Sequence, residues 1–75
     1  MPDSTFEAKA KGLLRAEMAR RNLTYQQLTD KLAEIGVPEE EHNLRNKVAR
    51  GKFTAAFLLQ CLEAMGCRTL TLTDA

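Results

Sequence analysis

The chain has 75 residues, 44% of them hydrophobic and 28% charged, which is the balance of one globular domain with a simple core rather than of a disordered segment. No apolar run approaches the ~20 residues that cross a bilayer, and the opening Met-Pro-Asp-Ser has neither the basic nor the apolar region of a secretory leader, so a soluble cytoplasmic protein without membrane contact is expected. Eleven Lys plus Arg against ten Asp plus Glu give a formal net charge of +1, and that total, taken alone, argues against a nucleic-acid binder.

Ser4-Thr5-Phe6-Glu7 has the capping-box pattern, a hydroxyl followed three residues later by a carboxylate, and predicts a first helix over about 5–21. Phe6, Ala10, Leu13, Leu14 and Met18 share one face of it at helical spacing. Gly12 lowers the propensity of that run without breaking it. Thr24-Tyr25-Gln26-Gln27 is a second capping box and opens a helix over about 25–35, with Tyr25, Leu28, Leu32 and Ile35 on its apolar face.

Gly36 suits the end of that helix, and Pro38 suits the first position of the next, where its missing N–H costs nothing. The third helix is predicted over about 39–50, with Glu39, Glu40 and Glu41 complementing its dipole, Leu44 and Val48 inward, and Gly51 as its stop. Thr54 caps a fourth, over about 54–65, whose dense apolar content marks it as the central core helix. The tail alternates polar and apolar residues and predicts a short strand over about 68–73, which must pack on the helices or pair with a second copy because a lone strand is unstable. The expected fold is all-α: four helices in a single domain with a short C-terminal β-strand.

The chain offers little for catalysis. His42 is its one histidine, and no serine or cysteine stands near it in a nucleophile arrangement. Cys61 and Cys67 are too far apart for a zinc pair and lack two further ligands, so both are expected reduced and partly buried. No glycine-rich phosphate loop is present. The expectation is a non-enzyme with no cofactor and no metal.

Charge is distributed in blocks. Lys9, Lys11, Arg15, Arg20 and Arg21 against Glu17 make 9–21 net +4, and Arg45, Lys47, Arg50 and Lys52 make 42–52 net +4. Between them, Asp30, Glu34, Glu39, Glu40 and Glu41 against Lys31 make 30–41 net −4. Such a pattern can steer an anionic partner although the total is near zero.

Leu23-Thr24-Tyr25-Gln26-Gln27-Leu28, then Ile35-Gly36-Val37, then Ala49-Arg50-Gly51-Lys52 resemble the phage-repressor (Cro-like, or XRE) helix-turn-helix superfamily. Its members often read Leu-Thr, a polar pair, Leu and a Gly-Val turn, and close the recognition helix with Arg-Gly-Lys. Cys61-Leu62-Glu63-Ala64-Met65-Gly66 is similar to the Leu-x-x-Leu-Gly that ends their next helix, so the likeness covers about residues 13–66. Here Ala33-Glu34-Ile35 intervene before Gly-Val, which lengthens the second helix or its turn. The stretch Asn43-Leu44-Arg45-Asn46-Lys47 is also similar to a group of short bacterial domains of unknown function. The repressor resemblance implies a small DNA-binding transcriptional regulator, with helix 39–50 in the major groove of double-stranded DNA and a homodimer on two half-sites.

Helical geometry names the residues. With Leu44 and Val48 inward, Glu39, His42, Asn46 and Arg50 fall opposite, flanked by Asn43, and these are the candidates for base contact. Arg45, Lys47 and Lys52 flank that face as phosphate contacts, with Thr24, Gln26 and Gln27 at a helix N-terminus and Arg20 and Arg21 nearby. Leu70 and Leu72 are the dimer-interface candidates. A second reading stands beside the first: a helix-turn-helix-derived protein-interaction module, adaptor or antitoxin-like, in which the Glu39–Glu41 corner or the tail meets a protein partner.

Overall fold

The computed structural model describes residues 2–72, with side chains from Thr5 onward. Four helices follow in order: α1 (Pro2–Arg20), α2 (Tyr25–Glu34), α3 (Glu41–Arg50) and α4 (Ala55–Ala64). None of them is long and apolar enough to cross a membrane.

The local signals at α2 act as the sequence suggests. Thr24 Oγ1 accepts the Gln27 backbone N–H at 3.1 Å, and Gln27 Oε1 accepts the Thr24 N–H at 2.9 Å, a complete capping box. Thr54 Oγ1 likewise accepts the Phe57 N–H at 3.0 Å and starts α4.

Leu14 and Met18 from α1, Leu28 and Leu32 from α2, Leu44 and Val48 from α3, and Phe57, Cys61 and Leu62 from α4, with Met65 just beyond it, form one buried cluster. Helix α1 packs on α3 and α4, and α2 packs on the same two. Every helix thus contributes a pair or trio to the core. Helix α4, expected as the central core helix, gives the largest share of that cluster, although Leu59 remains 65% exposed and Ala55 and Ala56 face solvent.

Other boundaries shift for identifiable reasons. Helix α1 starts at Pro2, so Ser4 lies within it instead of capping it. Its 19 residues span about 28 Å against about 15 Å for the ten-residue helices, so its early turns outrun the bundle and Phe6 is 71% exposed. Ile35 caps the C-terminus of α2 instead of extending its apolar face, and is 40% exposed.

Helix α3 begins at Glu41, not Glu39, and Glu40 occupies its N-cap without a side-chain bond. The connection 35–40 is therefore six residues, longer than the 3–4-residue turn of a helix-turn-helix. Gly36, at φ 82°, folds the chain back so that the Val37 N–H reaches Leu32 O at 2.9 Å. Pro38 and Glu39 then lie in the connection, not in the first turn of α3.

The C-terminal strand is absent among the described residues: 67–71 have no regular structure and Leu72 sits at a bend, while Thr73 lies outside them. A strand needs a partner, and the described residues supply none. The Cys67 N–H instead closes α4 on Leu62 O at 2.9 Å, and Leu70 packs against the core.

Gly51 fixes where α1 meets α3. It takes φ 68° as the C-cap of α3, and a Cβ built there would lie 2.5 Å from the carbonyl oxygen of Glu7. Gly66 has a similar φ of 77° with open space around it, so the pair separates conformational cost from contact. Gly66→Ala should lose about 1–2 kcal/mol for the left-handed backbone alone. Gly51→Ala should lose roughly twice that in urea unfolding, because α1 must also move. Equal losses would show that the approach of α1 is not a constraint.

Candidate nucleic-acid interface

Contacts along α1 and α3 run in opposite senses. Glu7 lies against Gly51, Lys11 Nζ donates to Ala49 O at 3.2 Å, and Arg15 shares a groove with Glu41 and Arg45. The two helices are antiparallel neighbours. The two basic blocks, separated in sequence by an acidic one, therefore lie side by side.

Two grooves flank α3. One, of about 390 Å³, includes Arg15, Thr24, Tyr25, Glu41 and Arg45. The other, of about 430 Å³, is lined by Glu39, Asn43, Asn46, Lys47, Arg50, Lys52 and Phe53. The second gathers four of the base-contact candidates, of which Asn43, Asn46 and Arg50 are exposed. Asn43 and Arg50 have no side-chain partner among the described residues. Asn46 Nδ2 donates to His42 Nε2 at 3.3 Å when the ring carries its proton on Nδ1.

Glu39 lines that groove but is not free for a base. Its carboxylate accepts from Lys47 Nζ at 2.7 Å, and its side chain is 12% exposed. Lys47 Nζ also sits 4.9 Å from the Phe57 ring centroid, so this ammonium is held against the fold. Arg45 pairs with Glu41, its guanidinium carbon 5.6 Å from the Tyr25 ring centroid. Lys52 Nζ lies 4.0 Å from Glu7. Thr24 and Gln27 satisfy each other in the capping box, and Gln26 Nε2 donates to Asp30 Oδ1 at 3.1 Å.

Arg20 and Arg21 also turn inward in function. Both pair with Glu17, the one buried charged residue among those described. Arg21 Nη1 donates to Glu17 Oε1 at 2.7 Å and to Glu17 O at 3.1 Å, while its Nε donates to Met65 O at 3.2 Å. Cys67 Sγ adds a weak bond to the same carboxylate at 3.6 Å. The Arg21 hydrogen bonds outweigh the cost of burial and, with the charge of Arg20, hold the Glu17 carboxyl below its ordinary 4.5. One guanidinium thereby ties α1 to the end of α4.

Lys11 and Arg15 take the place beside α3 that the sequence reading gave to Arg20 and Arg21. Their i,i+4 spacing on α1 was a visible sign that they share a face, and Glu17 stands three and four residues before the two arginines, the spacing of helical ion pairs.

The cysteines are free, Cys61 buried and Cys67 partly so. Burial first, then the negative charge of Glu39, pushes the Cys61 thiol up to about 12 against the opposing effect of Lys47, so it stays protonated in the core. Among the described residues, no three His, Cys, Asp or Glu side chains gather at a metal-binding geometry.

Residues 6–70 match a family described as a domain of unknown function, DUF6471. The chain belongs to the DUF6471 family. The match agrees with the likeness to short domains of unknown function and carries no assignment to the phage-repressor superfamily. No curated protein and no solved structure matches the chain. The span shared with DUF6471 covers both grooves beside α3 and the Glu17 cluster.

The Glu17 cluster gives this DUF6471 domain a defined acid response. A carboxyl whose folded value lies below its unfolded one stabilises fully above the unfolded value and loses that contribution as pH falls through the folded one. Glu17→Gln should cost about 1–3 kcal/mol at neutral pH, since Arg21 keeps its burial and loses its charged acceptor. It should also flatten the fall of stability as pH drops below the ordinary carboxyl value. Urea unfolding at neutral and acidic pH measures both, and an unchanged acid limb would assign the response to other groups.

Proposed function

We propose that this domain binds double-stranded DNA as a small cytoplasmic transcriptional regulator, with α2 and α3 used in the manner of a repressor-like helix-turn-helix. The outer face of α3 enters the major groove, and the edge formed by α1 and α3 lies on the phosphates. The observation that carries this reading is the Lys11–Ala49 contact, which lays the cations of α1 alongside a helix whose exposed face presents Asn43, Asn46 and Arg50.

Arginine pairs with guanine and asparagine with adenine, so Arg50, Asn46 and Asn43 read base edges while His42 orients Asn46. Lys11, Arg15 and Lys52 make the phosphate contacts. Glu39 and Glu41 neutralise Lys47 and Arg45 within the fold, so non-specific affinity is weak and binding depends on few cations. A homodimer using Leu70 and Leu72 would place two α3 helices on half-sites about 34 Å apart.

A second reading, a protein-interaction module of adaptor or antitoxin type, is favoured by an apolar groove of about 530 Å³ between α4 and residues 66–70. The Glu39–Glu41 corner supports it less, since two of its three carboxylates are engaged with Lys47 and Arg45.

Anisotropy titrations with mixed-sequence and selected duplexes at several salt concentrations test the first reading. Affinity should fall linearly in log–log form, by about 0.9 per phosphate contact. Lys11→Ala and Arg15→Ala should each reduce that slope by about 0.9 and weaken all sequences alike. Arg50→Ala should cost ~1–3 kcal/mol at a selected site and relax one base preference, with Lys47→Ala the mildest of the four. Absence of binding at low salt would sink the DNA reading and leave the protein-interaction module.

A further inference from the structure

We propose that the groove between α4, from Leu58 to Glu63, and residues 66–70 receives the same groove of a second copy of this chain, in a two-fold dimer in which Glu63 of each copy pairs with Arg68 of the other. The inference deepens the dimer reading above and is independent of whether DNA is bound.

The groove has two unlike banks. Leu58, Leu59, Leu62 and Glu63 come from α4, whereas Arg68 and Leu70 come from the segment after it. Glu63 and Arg68 are both exposed, and neither side chain has an ion-pair or hydrogen-bond partner among the described residues. A purely acidic or purely basic partner would satisfy one bank and leave the other facing a like charge. A second copy related by a two-fold axis through the groove presents the banks in exchanged order, so both charges are met twice. Isologous interfaces have this reciprocity by construction.

The apolar surface points to the same occupant. Among the described residues four large hydrophobic side chains stand exposed; one of them, Leu59, 65% exposed, lines this groove, and another, Leu72, 60% exposed, follows two residues after Leu70 of the other bank. The two-fold relation sets each Leu59 toward the tail of the partner copy. Backbone N–H groups of 68–72 find no acceptor within the described residues, so this stretch keeps donors for a partner. The groove shares no residue with either groove beside α3, so both α3 faces stay open in the dimer.

Sedimentation equilibrium of the full chain without DNA, over a concentration series, is the test. Mass should rise toward twice that of the monomer. Leu59→Glu should abolish the rise, since it places a carboxylate in the apolar centre of the interface. Glu63→Arg and Arg68→Glu should each weaken association at least about tenfold, because each creates two like-charge contacts. The double variant E63R/R68E should restore it. Circular dichroism melts at concentrations where the chain is monomeric should remain unchanged for all four, as the altered side chains are exposed. A monomer at every concentration overturns the proposal, as does a dimer indifferent to these changes. Failure of the double variant to recover association overturns the two-fold pairing. Because no DNA is present, these outcomes are read separately from those of the salt titration.

Discussion

Helix α1 can lie against the end of α3 only because residue 51 carries no side chain. The carbonyl of Glu7 occupies the space that a Cβ would need, and the same glycine supplies the left-handed turn that ends α3. One position therefore serves two demands, backbone conformation and close approach. From this point the antiparallel alignment of α1 and α3 follows: Lys11 meets Ala49 one turn further on, and Arg15 comes level with Arg45. The basic edge is a consequence of a steric allowance.

Nine charged side chains of this small domain are engaged in ion pairs. Glu17 takes Arg20 and Arg21, Glu41 takes Arg45, Glu39 takes Lys47, and Glu7 lies close to Lys52. The exposed pairs contribute little each to stability, as exposed pairs do. Glu17 differs because it is buried, and a buried carboxylate stays ionised only where donors surround it. The near-neutral total thus conceals a division between paired cations and free ones, with Arg50 on the outer face of α3 among the free.

The helices were legible in the sequence where local chemistry decides them. Thr24 with Gln27, Thr54, and the glycines at 36, 51 and 66 mark ends that depend on a few neighbouring atoms. The core residues followed from spacing for the same reason, from Leu14 through Met65. The errors arose where a long-range contact competes with a local preference. Glu39 satisfies a dipole argument as well as an ion-pair argument, and Lys47, eight residues away, wins it. Arg20 and Arg21 read as surface cations until a buried carboxylate on the same helix claims them. The tail alternates as a strand does, but periodicity cannot provide the second strand that pairing requires. Of the candidate interface, the face of α3 was visible from its heptad-like spacing; the contribution of Lys11 and Arg15 was not, because it depends on how two distant helices are aligned.

The bond from Arg21 to Met65 O has an implication for how the two ends of the molecule communicate. The guanidinium belongs to the turn after α1, and the carbonyl belongs to the last turn through which the chain leaves α4. The direction in which residues 66–70 depart is therefore referenced to α1, the same rod that carries the cations beside α3. A tilt of α1 cannot occur without either breaking a charge-assisted bond or redirecting that departure. Together with the Cys67–Glu17 bond, the Arg21 side chain ties the segment lining the groove beside α4 to the helix that carries the cations beside α3.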